Sequence, residues 1–162
     1  MSEKKKVRVA FFDFASCEGC QVELTNLSDP VFLELLNHLE FVEFREVMKE
    51  QTKEPIDIAF VEGSFTREAD RKRLESIRER AGVVIAFGAC AATGGINALK
   101  NHQSDYKEDV YGKDASLPHL DSTFARPISA AIKVDYTING CPMDRKEFVY
   151  IRSEERRVGK EC

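Results

Sequence analysis

Cysteines are the residues of this 162-residue chain with the clearest capacity for chemistry. Cys17 and Cys20 form a Cys-x-x-Cys pair, Cys90 and Cys141 stand alone, and Cys162 is the last residue. An odd number of cysteines in a chain without a secretion signal is typical of metal or redox ligands rather than of a disulfide framework. The first four are therefore the candidate ligands, because Cys162 lies in a terminal segment that continues no pattern.

Each of the four candidate cysteines stands just beyond a predicted strand. The predicted strands are Val7–Phe14, Phe41–Met48, Ile56–Val61, Gly82–Phe87 and Ile132–Ile138. Helices are predicted over Cys17–Leu27, from Asp29-Pro30 to Leu39, over Thr66–Arg80, for a short stretch from Thr93, and from Asp144 to Ile151, with a long loop over Asn101–Phe124. This alternation favours a parallel α/β sheet covered on both faces. Loops that follow parallel strands gather at one edge, where such sheets bind ligands, so we expect the thiols to converge there.

Four thiolates without a nearby histidine suit a [4Fe–4S] cluster, in which each thiolate binds one iron. Gly19, Gly88 and Gly140 place small residues beside the ligands, where backbone N–H groups could donate to sulfur. Three other interpretations stay open at this point. Structural zinc also takes four cysteines, although zinc ribbons usually carry two Cys-x-x-Cys pairs. A thioredoxin-like dithiol at a helix N-terminus, which would lower the thiol pKa, leaves Cys90 and Cys141 without a role. The four cysteines could also be unrelated buried residues.

Motifs around the cysteines resemble those of the small, electron-transferring subunit of [NiFe] hydrogenases. They are Cys17-Glu18-Gly19-Cys20, Gly88–Gly95 (GACAATGG) and Gly140-Cys141-Pro142. The related subunit of respiratory complex I shares the later motifs but has two adjacent cysteines in the first, so the spacing here favours the hydrogenase side. Glu62-Gly63-Ser64 is similar to the family's turn after the third strand. The similarity extends from Val7 to about Ile151 and is greatest to soluble hydrogenases of the sulfhydrogenase delta or deazaflavin-nonreducing type.

The resemblance implies a flavodoxin-like, doubly wound parallel sheet with an iron–sulfur cluster at the carboxyl edge of its strands. The implied ligands of this single [4Fe–4S] cluster are Cys17, Cys20, Cys90 and Cys141. The implied function is one-electron relay between the large, catalytic subunit of a hydrogenase and downstream acceptors. The implied partners are that large subunit and further electron-transfer subunits. No residue is expected to be catalytic, so the isolated chain is expected to be inactive.

Several residues near the motifs have more specific predicted roles. Glu18 is predicted to be a solvated loop carboxylate, and Glu62 to hydrogen-bond a loop backbone near the cluster rather than to transfer protons. Ser64 is expected either to donate to a sulfide or to act as a cap. Gly94 and Gly95 either let the backbone approach the cluster or allow tight packing. Residues expected at a docking edge for the large subunit are Gly19, Val22, Ala91, Ala92 and Pro142. Histidines without ligand spacing are predicted to be surface residues: His38, His102 and His119.

The composition excludes several classes of protein. The formal net charge of −4 leaves no basic footprint for nucleic acid. No apolar run approaches the roughly 20 residues of a membrane span. Val9–Phe12 follows a basic start, but Arg8 and Asp13 bracket a stretch shorter than the roughly 7–15 apolar residues of a signal peptide. The sequence therefore predicts a cytoplasmic protein without a transmembrane segment.

The final segment, Arg152–Cys162 (RSEERRVGKEC), matches no element of the rest of the chain. One back-translation of it reproduces a widely used short-read sequencing adapter, codon for codon. The segment is therefore predicted to be an artefact of sequencing, and residues 1–151 to be a cluster-binding domain whose natural gene continues further. Additional cluster cysteines, which related proteins often carry beyond this domain, are expected in the natural continuation.

Overall fold

The chain folds around a parallel β-sheet, described here by a computed structural model for residues 6–26, 30–49, 53–113, 117–118 and 120–148. Within these ranges the sheet has five strands: β1 (Val7–Asp13), β2 (Leu39–Phe44), β3 (Ile56–Glu62), β4 (Ala81–Phe87) and β5 (Tyr136–Ile138). Their order is β2-β1-β3-β4-β5, and every pairing is parallel. This is the flavodoxin-like doubly wound order, so the predicted fold class is confirmed. The order reverses between β1 and β3, the place where such sheets form a crevice beyond their strand ends.

Helices connect the strands and cover both faces of the sheet. They are α1 (Gly19–Thr25), α2 (Pro30–Leu36), α3 (Arg71–Arg80), α4 (Gly88–Thr93) and α5 (Tyr106–Tyr111), with 3₁₀ helices at Glu68–Asp70, Gly95–His102 and Ile128–Ala130. Residues 145–148 are also helical. Asp144 caps this last turn, because its carboxylate accepts the backbone N–H groups of Lys146 and Glu147 at 2.7 and 3.1 Å.

The boundaries differ from the sequence prediction in places that matter for the site. The helix after β4 begins at Gly88, not near Thr93, because Gly88 adopts φ +82° and turns the chain directly out of the strand. The predicted loop Asn101–Phe124 contains the short helix α5. β5 is three residues long rather than seven. The predicted tail segment Arg152–Cys162, the capping residue Asp29 and His119 lie outside the described residues.

Alternate residues of the strands build two separate cores. On one face, Leu74 and Ile77 of α3 pack against small and aliphatic side chains of the sheet. The other face is aromatic, with the rings of Phe11 and Phe60 stacked at a centroid distance of 4.7 Å. Cys20 and Leu24 of α1 are buried in this aromatic face. α1 is thus anchored by its apolar side, which fixes the place of the buried cysteine. None of the helices in the described ranges has the length and apolar character needed to cross a membrane.

Candidate metal centre

All four predicted ligands lie beyond the carboxyl ends of the strands. Cys17 follows β1, Cys20 is in the first turn of α1, Cys90 is in the first turn of α4, and Cys141 follows β5. All are free thiols. Cys20 and Cys90 are buried, with 7% and 9% of their surface exposed, whereas Cys17 and Cys141 are exposed. The arrangement therefore has two inner and two outer thiols at the edge of the sheet that the sequence predicted.

Glu62, the last residue of β3, holds the start of α1. Its side chain is 2% exposed. Oε1 accepts the backbone N–H of Cys20 at 3.2 Å, and Oε2 accepts that of Gln21 at 3.1 Å. These N–H groups belong to a helix N-terminus and would otherwise lack partners. The prediction that Glu62 makes a structural hydrogen bond to backbone is confirmed, although its partners belong to helix α1 and not to a loop. Burial raises the pKa of this carboxyl, although the hydrogen bonds from Cys20 and Gln21 act to lower it.

Glycines make room for the sulfur atoms. A methyl group added at Gly88 would overlap Sγ of Cys20. One added at Gly95 would lie 2.7 Å from Sγ of Cys90, and one at Gly19 would lie 3.2 Å from Sγ of Cys17. Gly88 and Gly95 also have positive φ values of +82° and +55°, which other residues rarely adopt. Any side chain at these positions would displace a thiol.

Backbone groups near the two buried thiols act on their pKa values. The backbone of Met143 acts to lower the pKa of Cys20, and that of Ile96 acts to lower the pKa of Cys90. Burial nevertheless raises the pKa of Cys90 and, together with the charge of Glu62, raises the pKa of Cys20 to about 12. The charges of Cys141 and Cys17 contribute to the rise at Cys90, so these three thiols lie within electrostatic range of one another.

Hydrogen bonds tie together the segments that carry the cysteines. The N–H of Ala89 donates to the carbonyl of Gly140 at 2.8 Å, joining the start of α4 to the turn after β5. Arg145, just beyond that turn, forms an ion pair with Glu23 of α1. The segment after β1 pairs with that after β3, where the N–H of Ser64 donates to the carbonyl of Ala15 at 2.9 Å. The edge is therefore a connected unit rather than a set of independent loops.

Ser64 and Asn97 complete this network. The Ser64 hydroxyl is fully buried and donates to the carbonyl of Ala15 at 3.2 Å. Nδ2 of Asn97 donates to that same carbonyl at 2.6 Å and to Oγ of Ser64 at 2.9 Å. The hydroxyl proton of Ser64 is thus directed at the backbone carbonyl of Ala15, in the segment that follows β1. The sequence analysis did not find Asn97, because an asparagine after two glycines has no distinctive spacing.

The structure confirms some of the remaining predictions and contradicts others. Gly94 packs tightly against Ala125, whereas Gly95 lies against Cys90. Glu18, predicted to be solvated, is half-buried with φ 60°, and burial followed by the charges of Glu46 and Asp13 raises its pKa. His38 and His102 are exposed, as predicted.

The expected docking edge is only partly exposed. Val22 is 45% exposed and Pro142 is exposed, while Gly19 and Ala92 are half-buried. Ala91, in α4, is completely buried, so its assignment to an exposed edge was wrong. Two residues that the sequence analysis missed are more prominent. Ile96 and Leu99 are 67% and 69% exposed, and they share one side of a 3₁₀ helix, in which residues three apart eclipse.

Four thiols at one edge are the kind of donor set that an iron–sulfur cluster takes. Within the described ranges, no three Cys, His, Asp or Glu side chains form a group that could hold a metal ion. A zinc ion would need its sulfurs about 2.3 Å from one point, whereas each thiolate of a cluster binds its own iron.

Comparison with known proteins agrees with this geometry. A family model described as NADH ubiquinone oxidoreductase, 20 Kd subunit, matches residues 17–154. The chain is 36% identical over 150 residues to a subunit of the F420-non-reducing hydrogenase vhu of Methanocaldococcus jannaschii, covering 84% of this chain and 51% of that protein. It is 30% identical over 141 residues to sulfhydrogenase 2 subunit delta of Pyrococcus furiosus, covering 87% and 58%. It is 30% identical to the NAD-reducing hydrogenase HoxS subunit delta of Cupriavidus necator, covering 86% and 73%.

Solved structures show the same fold. A chain of an NAD+-reducing [NiFe]-hydrogenase in the H2-reduced state matches with a TM-score of 0.71 and 27% identity, covering 85% of this chain and 83% of that one. A chain of the [NiFeSe] hydrogenase from Desulfovibrio vulgaris Hildenborough matches with a TM-score of 0.59 and 21% identity, covering 87% and 56%. The present chain spans 51% and 58% of the length of the first two relatives above.

Proposed function

The chain belongs to the family of the NADH ubiquinone oxidoreductase 20 Kd subunit, whose members similar to it are hydrogenase subunits, and on that premise we propose that it is an iron–sulfur electron-transfer subunit. It would carry electrons between the catalytic large subunit of a [NiFe] hydrogenase-type oxidoreductase and downstream acceptors. One [4Fe–4S] cluster would be held by Cys17, Cys20, Cys90 and Cys141.

The observation that carries the proposal is the meeting of cysteines from three distant segments at the strand edge next to the sheet reversal. The thiol of Cys90 lies within electrostatic range of Cys17 and Cys141, and glycines lie against its sulfur and that of Cys20, where a side chain would clash. Four unrelated cysteines, two buried and two exposed, would have no reason to lie on segments that hydrogen bonds tie together.

Different residues of this chain would have different roles at such a site. When bound, the cluster supplies a one-electron couple. Glu62 orients the first turn of α1, so that Cys20 faces the site from the aromatic core. The backbones of Met143 and Ile96 act on the two inner thiols and favour their negative charge. Burial of the inner thiols excludes water, while the exposed Cys17 and Cys141 face outward, where a partner subunit could approach.

The large subunit is the proposed partner at this edge. Further electron-transfer subunits are also proposed as partners, and the proposed location is the cytoplasm. Ile96, Leu99, Val22 and Pro142 offer apolar surface on or beside the segments that carry the cysteines. Residues of this kind are typical of an interface that is uncovered when one subunit is considered alone. The isolated chain is proposed to be inactive. Its one Cys-x-x-Cys pair would bind the cluster and would not be available to hold the hydrogen-activating metals.

Anaerobic reconstitution with iron and sulfide tests the cofactor assignment. The wild-type chain is expected to bind about four iron and four sulfide per molecule and to become brown, whereas Cys90→Ser and Cys141→Ser are expected to lose or convert the cluster. Cys162→Ser is the matched control, because it makes the same change outside the proposed ligand set and should retain wild-type iron. A wild-type chain that binds one zinc and no iron, or unchanged iron in both ligand variants, would contradict the proposal.

A further inference from the structure

Cys141 lies in a turn that closes on itself at the end of a short edge strand. The N–H of Asp144 donates to the carbonyl of Asn139 at 2.8 Å, and we call residues 139–144, which this bond closes, the Cys141 turn. β5, which leads into the turn, is three residues long and in the described sheet pairs only with β4. Sheet pairing therefore contributes little to holding the Cys141 turn against the rest of the cysteine edge.

An ion pair joins this turn to the helix that carries Cys20. The guanidinium of Arg145, the first residue beyond the turn, pairs with the carboxylate of Glu23. Glu23 lies three residues after Cys20 in α1, and side chains three residues apart are neighbours on one side of a helix. A charged contact between residues 122 positions apart thus ties the segment of the outer thiol, Cys141, to the segment of an inner thiol.

Solvent ions can reach this ion pair. The Glu23 side chain is 24% exposed and that of Arg145 is 53% exposed. The other contacts of the turn are of a different kind, since the carbonyl of Gly140 accepts the N–H of Ala89 at 2.8 Å and Met143 is buried in the aromatic core. Attraction between partly exposed charges weakens as added salt shortens the Debye length. The tie between the Cys141 turn and α1 therefore depends on ionic strength.

We propose that Arg145 is a positioning residue for Cys141, and that its ion pair with Glu23 holds the Cys141 turn where the fourth thiol can bind metal. The inference rests on the proposed function. Breaking the pair removes no thiol, but it lets the Cys141 turn move away from α1 more often, so bound iron is lost sooner. High salt weakens the pair and should act in the same direction. Arg145 acts through the backbone of the turn and is expected to touch no iron.

Three variants separate the charge of this pair from the packing of its side chains. Glu23→Gln and Arg145→Gln each remove one charge, and the double variant Glu23→Arg/Arg145→Glu exchanges the charges so that the pair can form again. Glu54→Gln is the matched control. Glu54 also pairs with an arginine from a distant segment, Arg8 at 2.6 Å, but it lies just before β3, at the opposite edge of the sheet.

The measurement is the rate at which the reconstituted chain loses iron to a chelator. It is made at about 10 mM and about 1 M salt, where the Debye length is about 30 Å and about 3 Å. At low salt we expect both single variants to lose iron about threefold faster than the wild type, within the range of an exposed ion pair. The double variant and Glu54→Gln should match the wild type. At high salt the wild type should be as fast as the single variants.

Two results would overturn this inference and leave the proposed function standing. One is an equal rate of iron loss in the wild type and both single variants at low salt. The other is a faster rate in the single variants that persists at high salt or in the double variant, because packing and not charge would then be responsible. Absence of a cluster from the wild-type chain overturns both.

Hydrogen exchange of the metal-free chain provides a second readout. The amide of Ala89, which donates to Gly140 of the Cys141 turn, should exchange faster at low salt in Glu23→Gln than in the wild type or in Glu54→Gln. The amide of Phe65, which donates to the carbonyl of Arg126 at 2.9 Å in another part of the fold, should exchange at one rate in all three. An Ala89 amide equally protected in wild type and Glu23→Gln would also overturn the inference.

Discussion

The carboxylate of Glu62 holds the backbone N–H of Cys20 at 3.2 Å, so the position of this cysteine depends on β3 as well as on β1, which precedes it in the chain. Glu62 pairs in register with Asp13 of β1 and Phe87 of β4, which places it in the middle of the sheet edge. A single buried side chain thereby connects the central strand to the first helix.

Removal of this carboxylate is expected to weaken the start of α1. Glu62→Ala leaves the buried N–H groups of Cys20 and Gln21 without their acceptor, at a cost of about 1–3 kcal/mol each in the free energy of unfolding. Glu62→Gln keeps the volume and one acceptor, so its cost is expected to be smaller. Denaturant unfolding and iron content after reconstitution measure both effects. Glu75→Gln, an exposed residue of α3, is the control and should behave as wild type.

Gly88→Ala is expected to displace the thiol of Cys20, a proposed cluster ligand, and also to strain the backbone. The new methyl group would overlap Sγ of Cys20 at a position with φ +82°. Gly112 has a similar φ of +85° but nothing within 4 Å, so Gly112→Ala carries only the backbone cost of about 1–2 kcal/mol. Iron content should therefore fall in Gly88→Ala and stay unchanged in Gly112→Ala. Equal iron in the two variants would show that the space beside Cys20 is unimportant.

Acid is expected to weaken the junction of β4 and β5 through Asp135. The carboxylate of Asp135 accepts the N–H of Val84 at 2.8 Å and pairs with Arg78 at 2.5 Å. Burial raises the pKa of Asp135, but these contacts outweigh it and the pKa is lowered. A lowered pKa means that this stabilisation is complete above the unfolded value of about 3.9 and is lost as the pH falls through the folded value.

Denaturant unfolding at pH 7 and at pH 3 measures this dependence. Asp135→Asn is expected to cost about 1–2 kcal/mol at pH 7 and to lose less stability on acidification than the wild type. Asp105→Asn changes an exposed carboxylate and should retain the wild-type difference between the two pH values. An equal loss on acidification in wild type and Asp135→Asn would contradict the assignment.

The exposed pair Ile96 and Leu99 is expected to be needed for association with the large subunit. The double variant Ile96→Glu/Leu99→Glu places two charges on a surface that is 67% and 69% exposed in the isolated chain, so the fold should tolerate it. Co-purification with a co-expressed large subunit and hydrogen-dependent dye reduction by the matured complex should both be lost. Val7→Glu is the control, since Val7 is exposed at the amino end of β1, on the opposite edge of the sheet. Retained association in the double variant would place the interface elsewhere.

The fold was largely predictable because its strands are dense in apolar residues and alternate with helical segments. The strand ends, and hence the edge where the cysteines meet, followed from that alternation alone. The start of α4 did not, because a six-residue helix of small residues has no hydrophobic periodicity to reveal it. β5 was predicted too long, because the side chain of Asp135 takes the N–H of Val84 and the strand pairing begins only at Tyr136.

The candidate site was predictable to the level of residue types but not of contacts. Cysteine spacing identified the thiols, and the position of Glu62 after a buried strand indicated its hydrogen bond to backbone. Ile96 and Met143 influence the two inner thiols through their backbones, so their side chains carry no signal of the role. Asn97 depends on a contact with a residue 82 positions away, which no local pattern can indicate.

The hydrogen bond from Ala89 to Gly140 also affects when, during synthesis of the chain, the four cysteines can come together. The 51 residues from Cys90 to Cys141 take roughly 3–10 s to emerge from a ribosome at ordinary translation rates. During that interval β1, β3 and β4 can already pair, whereas the segment that closes the edge has not been made. The nascent chain therefore presents three thiols without the fourth, and the last short strand acts as the step after which the site can be loaded.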